Sequence, residues 1–270
     1  MEPVKIDALQ KIITNLESAV VAFSGGVDST LLLSLCVQHL GNKQVLAATA
    51  DSPTLPRSEL TETKELVKKI NVQHVIIPTE EMKNECFTSN PPDRCYYCKQ
   101  ELFIQLQNLA DKYGFKHMVY GATHEDLKDY RPGISAGEKA GARAPLLEAG
   151  ISKKEVRELS HHLGLSTAEK PSSACLASRI PYGTRITKDN LSQVEQAEDL
   201  LKYKFNLPQV RVRHHGDIAR IEAPPENFSS IFLNNCYKQI ASDLKRLGFL
   251  YITLDLNGFR SGSMNEVLKK

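Results

Sequence analysis

Between Val20 and Leu32 the chain runs Val20-Val21-Ala22-Phe23, then Ser24-Gly25-Gly26-Val27-Asp28-Ser29-Thr30, then an apolar run from Leu31. The first four residues form a short apolar, β-branched run, which suits a strand buried in a parallel sheet. Gly25 and Gly26 permit a tight turn with φ > 0 and leave room for a ligand against the backbone. Asp28, Ser29 and Thr30 stand where helix N-caps belong. A strand, a glycine turn and a helix N-terminus aim several free N–H groups at one point, and that arrangement binds phosphate. No Gly-Lys-Ser/Thr follows, which excludes a Walker A loop, and the Gly-x-Gly-x-x-Gly spacing of dinucleotide folds is missing. An ordinary strand-to-helix turn is the alternative.

Strands and helices alternate around this stretch. Leu9, Ile12, Ile13 and Leu16 recur on one helical face, which predicts a helix over 7–16. Further helices are expected from Leu31 to about Gly41 and over 59–70 and 97–113, and strands over 45–50, 74–77 and 117–120. Residues 80–94, with Pro91-Pro92, read as a loop, and 127–145 as a loop with at most a short helix. The alternation predicts an α/β fold with a doubly wound parallel sheet, whose ligands sit at the carboxyl ends of the strands. Ser152 with Glu155 three residues on is a capping-box start for a helix over 153–163 that Gly164 ends. From Lys170 the character changes. A loop over 171–183 leads to a helix over 188–204, then a hairpin of strands 209–214 and 218–223 about His215-Gly216, a helix over 227–247 and a strand over 250–256. This order predicts a smaller C-terminal α+β domain, with boundaries of 1–170 and 171–270.

A length of 270 residues allows one large domain or two ordinary ones. No apolar run approaches a membrane span. The first residues carry acids and no signal-type apolar core, so a cytoplasmic location is expected. A net charge of +2 is too mild for a nucleic-acid footprint, although it leaves room for a local anion pocket. Six cysteines in such a chain point to reactive or metal-binding thiols rather than disulfides.

Cys95-Tyr96-Tyr97-Cys98 lies between a proline-rich loop and a helix start. Such a pair suits a redox dithiol, half of a zinc site or part of an iron–sulfur site, and a helix N-terminus favours the thiolate that metals need. Cys175 sits in Ala174-Cys175-Leu176-Ala177-Ser178-Arg179, on a polar, small-residue loop where packing does not account for it. Three thiolates can hold three irons of a 4Fe–4S cluster and leave the fourth open. Cys36 falls in the leucine-rich stripe and reads as core, while Cys86 and Cys236 have no partner pattern. In Val210-Arg211-Val212-Arg213, period two puts both arginines on one face, as a clamp for phosphate or carboxylate. A solvated face paired with Glu222 across the hairpin is the equal alternative. Glu125, Asp126, Asp129 and Arg131 follow the fourth strand, where carboxylates serve as magnesium ligands or simply as a solvated loop.

Taken together, five segments resemble one family. Ser24 to Thr30 resembles the pyrophosphate loop (PP-loop) of ATP pyrophosphatases. With it, Asp129-Tyr130-Arg131-Pro132-Gly133, Ala174 to Gly183, Val210 to Glu222 and Gly258-Phe259-Arg260-Ser261-Gly262 are similar to the LarE family of pyridinium-biscarboxylate mononucleotide sulfur synthases. The resemblance covers nearly the whole chain. It implies an adenine-nucleotide-hydrolase type of α/β fold and a role in making the nickel-pincer nucleotide cofactor. In that chemistry ATP adenylates a substrate carboxylate, and sulfur replaces AMP to leave a thiocarboxylate. It further implies ATP and Mg2+ on Ser24, Gly25, Gly26, Asp28, Ser29 and Thr30, with Asp129 and Arg131. The substrate would lie on Ser178, Arg179, Arg211, Arg213 and Arg260, and Cys175 and Asp28 would be catalytic. Family members with the loop cysteine alone give up its sulfur and end as dehydroalanine. This chain adds Cys95 and Cys98, and so looks like the branch whose three cysteines hold a 4Fe–4S cluster carrying hydrosulfide. The expected partners are a small pyridinium mononucleotide, a sulfide or other sulfur donor, and further copies of the chain. An iron–sulfur tRNA thiolase and a zinc-binding nucleotide sensor remain as competing readings.

Overall fold

A computed structural model describes residues 3–127, 132–171, 173–260 and 262–269, and the elements counted below lie within them. The chain divides into two compact units, Met1–Glu81 with Asp93–Ser173 and Met82–Pro92 with Ala174–Lys270.

The first unit contains α1 (Pro3–Thr14), β1 (Ala19–Ala22), α2 (Val27–Leu40), β2 (Val45–Asp51), α3 (Arg57–Ile70) and β3 (Gln73–Pro78). After the excursion that holds α4 (Glu85–Thr88), it resumes with α5 (Arg94–Tyr113), β4 (His117–Tyr120), α6 (Pro132–Lys139), α7 (Pro145–Glu148) and α8 (Lys153–His162). Four strands lie in the order β3-β2-β1-β4, and every pair is parallel. This is the expected α/β sheet. Side chains alternate between its two faces. Val21, Val45, Ala47 and Val119 share a core with Leu9 and Ile13 of α1 and Leu31 to Cys36 of α2. Val20, Leu46, Ala48, Met118 and Tyr120 share the other core with Phe103, Leu106 and Ala110 of α5. The chain leaves β1 towards β2 and β3, then returns to the far side of β1 as β4. The strand order therefore reverses between β1 and β4, and the loops after these two strands meet at one end, where such sheets form their ligand crevice.

The second unit is a three-stranded sheet with helices. Here α9 (Lys188–Asp199) runs on into a π-helical turn, Leu200–Lys204. Strands β5 (Arg211–His215) and β6 (Ile218–Glu222) form the antiparallel hairpin. The short α10 (Phe228–Phe232) and α11 (Cys236–Arg246) lead to β7 (Tyr251–Leu254), which pairs parallel to β6. Val212, Ala219 and Ile221 pack with Leu201, Ile240, Leu244 and Phe249.

Two segments differ from their sequence pattern. Residues 80–94 are not all loop, since 85–88 form α4 and 82–92 join the second unit. Asn90 makes that junction: its side-chain amide donates to the carbonyls of Pro181 at 2.8 Å and Thr184 at 3.0 Å, and its own carbonyl accepts from Gly183 N–H at 2.9 Å. The helix expected over 227–247 breaks at Asn234 and Asn235, with φ of 52° and 60°. Asparagine tolerates this left-handed geometry, and helical periodicity does not register it. The described part of 127–145 contains one short helix, α6, in keeping with its sequence pattern, and α7 begins at Pro145. Among the described residues no helix is long and apolar enough to cross a membrane.

The capping box of α8 forms as the sequence suggests. Ser152 N–H donates to Glu155 Oε2 at 2.8 Å, Glu155 N–H donates to Ser152 Oγ at 3.2 Å, and Lys5 Nζ adds an ion pair at 3.0 Å. Burial pushes the Glu155 carboxyl up, but the Ser152 hydrogen bonds and Lys5 outweigh it and bring it from 4.5 to about 2. A lowered folded-state value stabilises the protein above 4.5, and that share is lost as pH falls towards about 2. Urea stability should therefore drop across this window, and Glu155→Gln should remove that part of the drop. If the Glu155→Gln curve falls in parallel with the wild type, the acid sensitivity comes from elsewhere.

Candidate active site

Turn geometry at the end of β1 assigns the two glycines different tasks. Gly25 alone takes the left-handed conformation, with φ +71°, and a Cβ there would stand 2.9 Å from Thr63 Cγ2. Gly26 is extended, with φ −78° and ψ 164°, and is the N-cap of α2 without any side-chain acceptor. A Cβ on Gly26 would meet only Ser24 Oγ, at 3.5 Å, so protein packing leaves the space beside it open. Asp28 and Ser29 are consequently inside the first turn and not caps. Ser29 Oγ braces the loop instead, accepting from Ser24 N–H at 3.3 Å and donating to Gly26 O at 3.1 Å. Thr30 is buried and begins the helical ladder by donating its N–H to Gly26 O. The first turn, with no side-chain cap, lies at the positive end of a 14-residue helix, which suits a polyanion.

The rest of the crevice comes from later in the first unit. Gly121, just after β4, approaches the loop so closely that a Cβ would lie 3.0 Å from Ser29 N and 3.1 Å from Asp28 C. Lys153, the first residue of α8, places Nζ on Asp28 Oδ2. The other oxygen, Asp28 Oδ1, is buried and has no partner among the described residues. Lys170 Nζ donates to Gly25 O at 3.1 Å and to Glu59 and Glu62 at 2.7 Å each. Of the acidic candidates, Asp126 caps Thr123 N–H at 2.8 Å and Glu125 accepts from Lys153 N–H at 2.8 Å, so both have structural partners. Asp129 and Arg131 lie outside the described residues. The free Asp28 oxygen fits a magnesium ion, a hard cation that takes carboxylate oxygens.

In the second unit the cysteine loop is held from beneath. Leu176, Ala177 and Ile180 are buried, whereas Cys175 is exposed. Arg179 is 1% exposed and forms a two-pronged ion pair with Glu198 of α9, at 2.8 and 2.9 Å. Its remaining nitrogen donates to the carbonyls of Ala174 at 2.5 Å and Cys175 at 3.0 Å and to Ser178 Oγ at 2.9 Å. Ser178 Oγ in turn donates to Cys175 O at 2.8 Å. Burial pushes the Glu198 carboxyl up, but Arg179, with Arg211 and Lys202, outweighs it and holds Glu198 below the usual carboxylate range. Arg213 is buried too. It pairs with Glu222 at 2.6 Å, bonds Ser263 Oγ at 3.0 Å and donates to Ser178 O at 3.1 Å. The partner is thus the Glu222 of the alternative sequence reading, but the face is buried and not solvated. Arg211 bonds Val210 O at 2.9 Å and lies over the Phe259 ring, and Arg260 pairs with Glu266 at 3.1 Å. Arg213 Nε and Arg260 Nη1 are buried donors without an acceptor among the described residues.

Cys95 is exposed and Cys98 half-buried, three residues apart on the first turns of α5, hence on one side of that helix. They belong to the first unit and Cys175 to the second. Among the described residues no three His, Cys, Asp or Glu side chains are assembled as a metal site. Cys36 is core, as its leucine stripe suggests, and burial pushes its thiol up to about 12. Sequence reasoning missed Lys153, Lys170 and Glu198. Only Glu198 carried a signal: it stands in the buried stripe of Leu191, Val194 and Leu201, where an acid needs a buried cation.

Comparison with known proteins agrees with this geometry. A family model described as NAD synthase matches residues 6–100. The chain is 40% identical over 258 residues to the pyridinium-3,5-bisthiocarboxylic acid mononucleotide synthase of Lactiplantibacillus plantarum, covering 95% of this chain and 92% of that one. It is 42% identical over 266 residues to an uncharacterized protein of Synechocystis, covering 98% of both chains. An NH3-dependent NAD+ synthetase of Chlorobaculum tepidum is 26% identical over 165 residues, 59% of this chain and 58% of that one.

The Arg179–Glu198 pair should be the most sensitive point of the second unit. Removing one partner of a buried pair typically costs about 3–5 kcal/mol, because the other is left charged and unpaired. Glu198→Leu should show a loss of that order in denaturant unfolding, and Glu198→Leu combined with Arg179→Met should regain most of it. A double variant as unstable as the single one would show that packing, not charge, is the source.

Proposed function

Because the chain belongs to the LarE family of pyridinium-3,5-bisthiocarboxylic acid mononucleotide synthases and is an ATP-dependent enzyme, we propose that it converts substrate carboxylates to thiocarboxylates in nickel-pincer nucleotide biosynthesis. A substrate carboxylate oxygen attacks the α-phosphorus of ATP, and pyrophosphate leaves. A sulfur nucleophile then attacks the carbonyl carbon, and AMP leaves as the C–O bond breaks. The observation that carries the reading is the Cys175 loop, whose carbonyls are fixed by a buried guanidinium while its thiol stays exposed. Adenylation makes the carboxylate a target for a thiol or sulfide, and a rigid, exposed cysteine is where such sulfur is delivered.

In this scheme the first-turn N–H groups of α2 receive the departing pyrophosphate. Asp28 Oδ1 would hold magnesium, which neutralises phosphate charge. Asp129 and Arg131 are proposed to join that site. The substrate phosphate is assigned to Arg211, Arg213 and Arg260, on the ground of the unpartnered donors of the latter two. Arg179 and Ser178 then act on the substrate through the loop that they hold. Cys95, Cys98 and Cys175 have the thiol chemistry for a 4Fe–4S cluster, which when bound would supply a place to keep sulfide for transfer.

Three variants test the sulfur route. Cys95→Ala, Cys98→Ala and Cys175→Ala should each abolish the broad absorption near ~400 nm after anaerobic reconstitution with iron and sulfide. All three should lose sulfur transfer, yet still release pyrophosphate with substrate. Full activity in Cys95→Ala, with dehydroalanine at position 175 by mass spectrometry, would replace the cluster with sacrifice of Cys175.

A further inference from the structure

We propose that α6 braces the turn that carries Cys95 and Cys98, and that Gly133 is the positioning residue that lets it do so. The inference rests on the reading that this thiol pair holds metal.

Two of the eight residues of α6, Gly133 and Gly137, are glycine. Glycine weakens a helix relative to alanine, because it has more backbone freedom to lose. Neither of these two has a positive φ, so backbone conformation does not require them. Space does. A Cβ on Gly137 would stand 2.9 Å from Cε1 and Cζ of Tyr120, the buried last residue of β4. A Cβ on Gly133 would stand 2.9 Å from Lys99 Cγ, with the carbonyl oxygen of Cys95 at 3.8 Å. Four residues apart, the two glycines lie on one side of the helix. By these two close approaches α6 is seated on the sheet and on the start of α5.

Lys139, the last residue of α6, adds a third contact. Its Nζ lies 4.9 Å from the centre of the Tyr96 ring and donates to Tyr96 Oη at 3.4 Å. Tyr96 stands between the two cysteines and packs in the core beside Phe103 and Tyr120. Residues 95–99 are therefore gripped by α6 at two points. The grip bears on the thiols because helix ends fray, their first N–H groups having no partner within the helix. Thiols three residues apart face the same way only while their turn stays helical. Two thiolates that converge on one metal bind it more tightly when their spacing is set beforehand. Close contact at Gly133 sets it.

Anaerobic cobalt(II) titration of the reduced, iron-free chain, read by thiolate-to-metal charge transfer, measures this positioning without turnover. Cys95→Ala should abolish the signal and so locate it at the pair. Gly133→Ala should weaken cobalt binding by about tenfold or more, the usual cost of losing a support behind a metal ligand. Lys99→Ala removes the Cγ that the new methyl group would strike, so Gly133→Ala combined with Lys99→Ala should bind cobalt as the wild type does. Wild-type affinity in Gly133→Ala, or no recovery in the double variant, would overturn the proposal. Should Gly133→Ala fail to fold, Lys139→Met takes its place: weaker cobalt binding supports the brace, and unchanged binding overturns it. A wild-type chain that takes up no cobalt, or whose signal survives Cys95→Ala, would instead overturn the metal reading of the pair itself.

Discussion

The turn from β1 into α2 closes only because Gly25 takes a φ of +71° against Thr63 of α3. A side chain at that position would both strain the backbone and strike a buried methyl group. Once the turn closes, the direction of α2 follows, and with it the point at which its first N–H groups converge. Gly121 imposes the matching constraint from β4, since only a residue without Cβ can approach Asp28 and Ser29 so closely. Two glycines, in the loops after the adjacent parallel strands β1 and β4, therefore shape the crevice. The next glycine of the motif, Gly26, has no such packing role, and protein packing leaves the space beside it open.

Charge in the two units is arranged by different rules. Around the phosphate loop, Lys153 and Lys170 stand beside carboxylates that are partly open to water. In the second unit, Arg179 and Arg213 are buried with Glu198 and Glu222. A buried ion pair gains little net stability, because desolvation offsets most of the attraction. Its effect is specificity of position: neither guanidinium can move without stranding a carboxylate. Both arginines reach the backbone of the cysteine loop, through Ala174, Cys175 and Ser178, so that positional precision is passed to an exposed thiol.

The α/β sheet and the phosphate-loop turn were legible because each rests on contacts between near neighbours. A β-branched run, two glycines and a following apolar helix specify their own backbone, and the capping box of α8 closes within four residues. Where a local signal was absent, the reading was incomplete. Asn234 and Asn235 break a helix that the apolar period carries through. The excursion at 82–92 read as a loop because its hydrogen bonds run from Thr88 and Asn90 to residues in the 180s.

What the sequence determined alone is the chemistry available: a phosphate loop, a Cys-x-x-Cys pair, a third cysteine among small polar residues, and several arginines. Which groups meet was decided by tertiary structure. Asp28 and Lys153 are 125 residues apart, and nothing in either segment specifies the other. Arg213 read equally well as an anion clamp or as a partner of Glu222, since period two fixes the face of a strand but not what covers it. Helices and strands are set by repeats of a few residues, whereas the pairing of buried charges depends on the path of the whole chain. That difference in range is why the loop was visible from its letters and the lysine beside it was not.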